Sequence, residues 1–187
     1  MKSKLIPLIG IVALSNVAFS ALAGEDDKSD IQTIEQSSEK LNIAFVAPKK
    51  YTDIRPSNQT RSKFREHVTD SFYEMFDDLA QTLPDGQTLD VTVTDIDLAG
   101  DTRSPRIPIN MLHNDIRVLE DIYFPRVKFS YQLKDASGAV LMSDDVELKD
   151  MNYLDRAGFV RHRYAFPYEH QMIEEWFDKT FTQQSQS

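Results

Sequence analysis

The segment Val91 to Asp101, VTVTDIDLAGD, places Asp95, Asp97 and Asp101 within seven residues. Carboxylates this close can ligate a cation, exchange protons in catalysis, or pair with arginines in the scaffold. An EF-hand loop needs oxygen ligands at positions 1, 3 and 5, glycine at 6 and a bidentate glutamate at 12. Counted from Asp95, Asp97 takes position 3, Ala99 position 5, Gly100 position 6 and Arg106 position 12. An arginine where the glutamate belongs carries the wrong charge, so this motif is rejected. A looser calcium site stays open, because side chains two apart on a strand share a face about 6.6 Å apart.

The alternation of the strand offers a scaffold reading. Leu89, Val91 and Val93 are apolar at odd positions, whereas Ile96 and Leu98 are apolar at even ones. One extra residue at Thr94–Asp95, a β-bulge, would return Ile96 and Leu98 to the core and turn Asp95 and Asp97 the other way. Without it both aspartates would face the helices and need cationic partners. Arg117 and Arg126 are the basic candidates for that pairing. A structural polar network of Asp95, Asp97, Arg117 and Arg126 is the main reading, ahead of metal binding and catalysis.

Other chemistries lack a signature. There is no Gly-x-Ser-x-Gly, no glycine-rich phosphate loop and no cysteine. His67, His113, His162 and His170 show neither His-x-x-x-His nor His-x-His spacing. Carboxylate pairs are too common in an acidic chain to identify a glycosidase. No catalytic residue, metal or cofactor is assigned. One stretch runs against the acidic composition. MNYLDRAGFVRHRYAFPY, Met151 to Tyr168, holds Arg156, Arg161 and Arg163 against the single acid Asp155, interleaved with aromatics. It is a candidate binding loop, or it folds back and pairs with the acidic surface.

These residues must be held by regular elements. Leu41, Ile43 and Phe45 alternate with polar or small residues and mark a first strand that ends near Pro48. From Arg61 to Leu83, Phe64, Val68, Phe72, Met75, Phe76, Leu79 and Leu83 recur at three or four, the stripe of an amphipathic helix. Leu89 to Val93 gives a second strand and Arg126 to Lys134 a third. Asp135-Ala136-Ser137-Gly138 forms a hairpin turn, and Val140, Met142, Val146 and Leu148 are expected on one face of the return strand. Tyr168 to Phe181 is helical in period. Residues Ile116 to Phe124 fit strand and helix equally. The layout is α+β: a small mixed or antiparallel sheet of about four strands with two amphipathic helices on one face. A strand–helix–strand start makes the first two strands parallel. If the third is antiparallel, the loops after Asp97 and Asp150 leave the sheet at one end. A shallow cleft is expected between them, with Asp101 and Arg103 on one loop and Arg156, Arg161 and Arg163 on the other.

The N-terminus reads as a secretory signal peptide over residues 1–23. Lys2 and Lys4 precede an apolar run, and Ala21-Leu22-Ala23 supplies the cleavage pattern. An uncleaved anchor is the rival, opposed by a short apolar stretch that Ser15 and Asn16 interrupt. Residues 24–40 read as a flexible acidic leader, 41–181 as a single α+β domain and 182–187 as a disordered tail. Cleavage removes two lysines and no acid, moving the formal charge from −9 to −11. That charge repels DNA and anionic headgroups, so nucleic acid is not expected as a partner. No stable membrane insertion is expected once the signal is cleaved.

Four stretches, TVTDIDLAGD (92–101), DIRVLEDIYFPRVKFSYQL (115–133), KDASGAVL (134–141) and YLDR (153–156), resemble the bacterial family catalogued as domain of unknown function 3016. The resemblance spans about Leu41 to Phe181 and implies an exported protein of Gram-negative bacteria. It implies no activity and carries over no catalytic residue. The expectation is a periplasmic or secreted, non-catalytic interaction or envelope-accessory module whose partner is a protein or another envelope component. The alternative is a binding protein or weak hydrolase for an anionic envelope ligand.

Overall fold

The computed structural model describes residues 32–56, 59–103, 116–155 and 164–182. Five strands, β1 (Thr33–Ser37), β2 (Leu41–Val46), β3 (Thr88–Asp97), β4 (Arg126–Lys134) and β5 (Val140–Lys149), form one mixed sheet in the order 1-2-3-4-5. Only β2 and β3 are parallel, and helix α1 (Arg61–Ala80) makes the crossover between them. The other neighbours pair antiparallel. Helix α2 (Pro167–Phe177) continues into a wide turn over Asp178–Thr182. This is an α+β fold, with one strand more than the alternation of apolar residues reveals.

Period decides which face is buried. In β2, β3 and β4, Leu41, Ile43, Phe45, Leu89, Val91, Val93, Val127, Phe129, Tyr131 and Leu133 all lie in the core. The α1 stripe from Phe64 to Leu79 covers them, and Thr60 caps the helix by accepting from the Lys63 N–H. Trp176 of α2 packs edge-on against Phe129 and Tyr131, with centroids 4.8 and 5.3 Å away. Across the sheet, the polar residues of the opposite face pair among themselves, as Asn42 and Lys134 do with Asp90.

Four local expectations need correction. Thr33–Ser37, inside the stretch read as a leader, is an edge strand: its backbone pairs with β2, and only half-buried Ile34 packs on the core. Val140 does not share a face with Met142. A register shift sets Met142 against Leu133 but Val140 against Lys134, so Val140 is exposed. Residues 116–124 are neither strand nor helix. Their backbone bonds go sideways to the segment after β3, through Gly100 N–H to Tyr123 O at 2.9 Å and a two-way exchange between Asp101 and Val118. The second helix starts at Pro167 and loses its regular period after Phe177. The signal segment, residues 1–23, lies outside the described residues, as do 183–187 of the tail.

Candidate functional site

The aspartates sit where β3 leaves the sheet. Its register against β4 slips between Val93 and Asp95, so Thr94 is the extra residue. Beyond the slip Ile96 and Leu98 are buried, and Asp95 and Asp97 point to the opposite face. The chain at Thr52–Asp53 runs alongside: Asp53 N–H donates to Ile96 O and Leu98 N–H to Asp53 O, both at 3.2 Å.

Each acid has a scaffold partner. Asp95 accepts from the Thr52 N–H and from its hydroxyl, both at 2.7 Å. Asp97 accepts from Arg126 Nε at 3.2 Å and Nη2 at 2.7 Å. Asp101 accepts from the Arg103 N–H at 3.0 Å and from Nε at 3.4 Å. Arg117 reaches neither Asp95 nor Asp97. Its Nη2 donates to Asp53 Oδ2 at 2.6 Å, to Gly100 O at 2.6 Å and to Leu98 O at 3.1 Å, while Nε donates to Ala99 O at 2.8 Å. One guanidinium thus gathers three successive carbonyls and a carboxylate, which fixes the turn after β3. From the helix side, Glu169 accepts the Ala99 N–H at 2.7 Å.

The electrostatics follow from burial. Desolvation raises the Asp97 carboxyl above its ordinary range, and the Arg126 hydrogen bond opposes that rise. Glu169, fully enclosed, is also raised by burial, against the Ala99 N–H bond. The Tyr51 hydroxyl donates to Val93 O at 2.8 Å, and its burial, with the Asp95 charge, pushes it up.

A cleft of about 220 Å³ opens here, lined by Thr52, Asp53, Asp97, Asp101, Arg103 and Arg126, with Tyr123 and Phe124 beside them. The Arg126 guanidinium lies 5.4 Å over the Phe124 ring. Of the residues singled out in the sequence, Asp97, Asp101, Arg103 and Arg126 line it; Asp95 and Arg117 do not. Both β3 and β5 run antiparallel to β4, so the chain leaves both at this end of the sheet. Arg156, Arg161 and Arg163, expected on the second loop, lie outside the described residues. Among the described residues no three histidines or carboxylates converge as metal ligands.

Thr52, Asp53 and Glu169 were not foreseen as parts of this site. Glu169 had a signal: it stands three, four and eight positions before Met172, Ile173 and Phe177, on the buried stripe of α2. An acid on such a stripe must find a donor. Asp53 lies in irregular chain and had none.

No curated protein and no solved structure matches the chain. The profile of one family, described as protein of unknown function (DUF3016), matches residues 39–179, which takes in every strand but β1, both helices and all the acids of the cleft. The chain belongs to that family.

Proposed function

We propose that the protein is an exported, non-catalytic interaction module of the bacterial envelope, acting in the periplasm. The observation that supports this reading is the pairing of the acids: Asp53, Asp95, Asp97 and Asp101 each accept a hydrogen bond from a neighbouring residue of the chain. Carboxylates so engaged build a rigid rim, whereas a general base or nucleophile needs access to a reacting atom. Incubation of the purified protein with peptidoglycan fragments and lipopolysaccharide, followed by mass spectrometry, should return both unchanged. Turnover of either sinks the reading. Export is tested separately. N-terminal sequencing of periplasmic material should begin at Gly24, and recovery of the intact Met1 form in membranes would favour an anchor.

A second reading, a binding protein for an anionic envelope ligand, is favoured by the rim of the cleft. The side chains of Arg103 and Arg126 there are 65% and 42% exposed.

A further inference from the structure

A second pocket, of about 240 Å³, adjoins the cleft. Thr102 lines this pocket, whereas its neighbours Asp101 and Arg103 line the cleft, so the segment 101–103 is the partition between them. The two chambers differ in charge. Three aspartates line the cleft. The described lining of the second pocket holds Arg55, His67 and Arg117 and no carboxylate. In a chain with 30 acids and 21 lysines and arginines, a described lining with two arginines and no acid is a departure from the composition.

Phe64 and Phe166 give the wall its aromatic part. Phe166 packs edge-on against Phe64 with centroids 6.2 Å apart, and its ring lies 5.5 Å from that of His67. Arg117 is mostly committed to Asp53 and the β3 turn, yet its Nη1 reaches only Arg55 O, at 3.4 Å. Arg55 itself is exposed, and among the described residues no carboxylate forms an ion pair with it. The first turn of α1, next to Gln59 and Phe64 of the lining, contains no acid to offset the positive end of the helix.

We infer that this pocket binds a small organic carboxylate with an aromatic or short apolar body. The Arg55 fork takes the carboxylate, and the faces of Phe64 and Phe166 take the body. Its volume equals about eight waters at roughly 30 Å³ each, which suits a single ring with its acid group. The inference goes beyond the proposed module role, because it places the ligand in this chamber and not in the cleft at the end of β3.

The experiment uses the full mature chain, isotope-labelled, titrated with benzoate and separately with benzamide, its uncharged isostere. Benzoate should give saturable shifts at Phe64, His67 and Phe166, and benzamide should bind at least tenfold more weakly. Arg55→Ala, at an exposed site, should keep the wild-type melting temperature and weaken benzoate about tenfold. Arg103→Ala, on the cleft side of the partition, should leave benzoate binding unchanged. Equal binding of benzamide, loss of binding in Arg103→Ala with retention in Arg55→Ala, or no saturable shift at all would each overturn the assignment.

Discussion

Arg117→Met is the substitution with the largest expected effect on stability. The side chains of Arg117 and Asp53 are only 17% and 12% exposed, so solvent screens their ion pair weakly. Asp53 Oδ1 already has no hydrogen-bond partner, and Arg117 is the donor to Oδ2. Removing the guanidinium leaves a buried carboxylate bare, and it strips donors from the carbonyls of Leu98, Ala99 and Gly100. Breaking one side of a buried pair costs about 3–5 kcal/mol. The lower end applies here, because the cleft beside Asp53 admits water to the vacated groups. A loss of about 3 kcal/mol in a domain of this size lowers the melting temperature by roughly 10 °C.

Urea and thermal unfolding measure that loss, and a second variant identifies its cause. If the bare carboxylate is the source of the penalty, Asp53→Asn added to Arg117→Met should recover about 1–2 kcal/mol. The double variant is then more stable than the single one, the opposite of additive damage. A single variant within about 0.5 kcal/mol of wild type would refute the reasoning. So would a double variant as unstable as the sum of its parts.

Glu169 gives a pH test: its raised carboxyl lets the folded state hold a proton to higher pH than the unfolded chain, so stability falls as pH rises between the two values. Glu169→Gln keeps an oxygen for the Ala99 N–H, so the decline as pH rises above the ordinary carboxylate range should become shallower while Asp97, shifted in the same sense, retains its part; an unchanged slope excludes the mechanism. Gly100→Ala should cost about 3 kcal/mol, since φ is +79° and a Cβ would lie 2.9 Å from Val118 O, whereas Gly138→Ala, at φ +83° with open space around it, should cost only about 1 kcal/mol; equal losses in thermal unfolding contradict this. Asp95→Asn should cost about 1 kcal/mol through its bonds to Thr52, and calcium should leave the wild-type melting temperature unchanged. A calcium-dependent rise that disappears in Asp95→Asn would make the aspartates metal ligands.

How far the chain could be read in advance depended on whether a residue's environment is set by a repeating pattern. The sheet and helices were legible because period 2 and period 3.6 are local, and the bulge at Thr94 was legible because it breaks the phase of its own strand. Strand β1 escaped because TIEQS is a polar edge strand, and half-buried Ile34 alone packs on the core. The partners of the acids escaped for a different reason. Asp95 finds Thr52, 43 positions away, and Arg117 finds Asp53, 64 positions away. Distance along the chain says little about which loop closes over which strand end. Arg117 and Arg126 were both named as basic candidates; only Arg126 pairs with one of the two strand aspartates, because the β3–β4 register sets it opposite Asp97.

That difference bears on where function should be sought. Residues whose partners the register dictates, such as Asp97 and Arg126, belong to the scaffold's own accounting of buried charge. Arg117 and Glu169 grip the turn after β3 from two sides and so hold Asp101 and Arg103 in place on the cleft side and Thr102 on the other. A loop fixed this firmly is an expense for a protein that needs only to fold, since loops are ordinarily left mobile. It is consistent with a surface that must present fixed groups. Arg55 takes no side-chain part in this network: it is exposed beside Phe64 and Phe166, with no acid in the described lining, and its guanidinium is able to accept an outside anion.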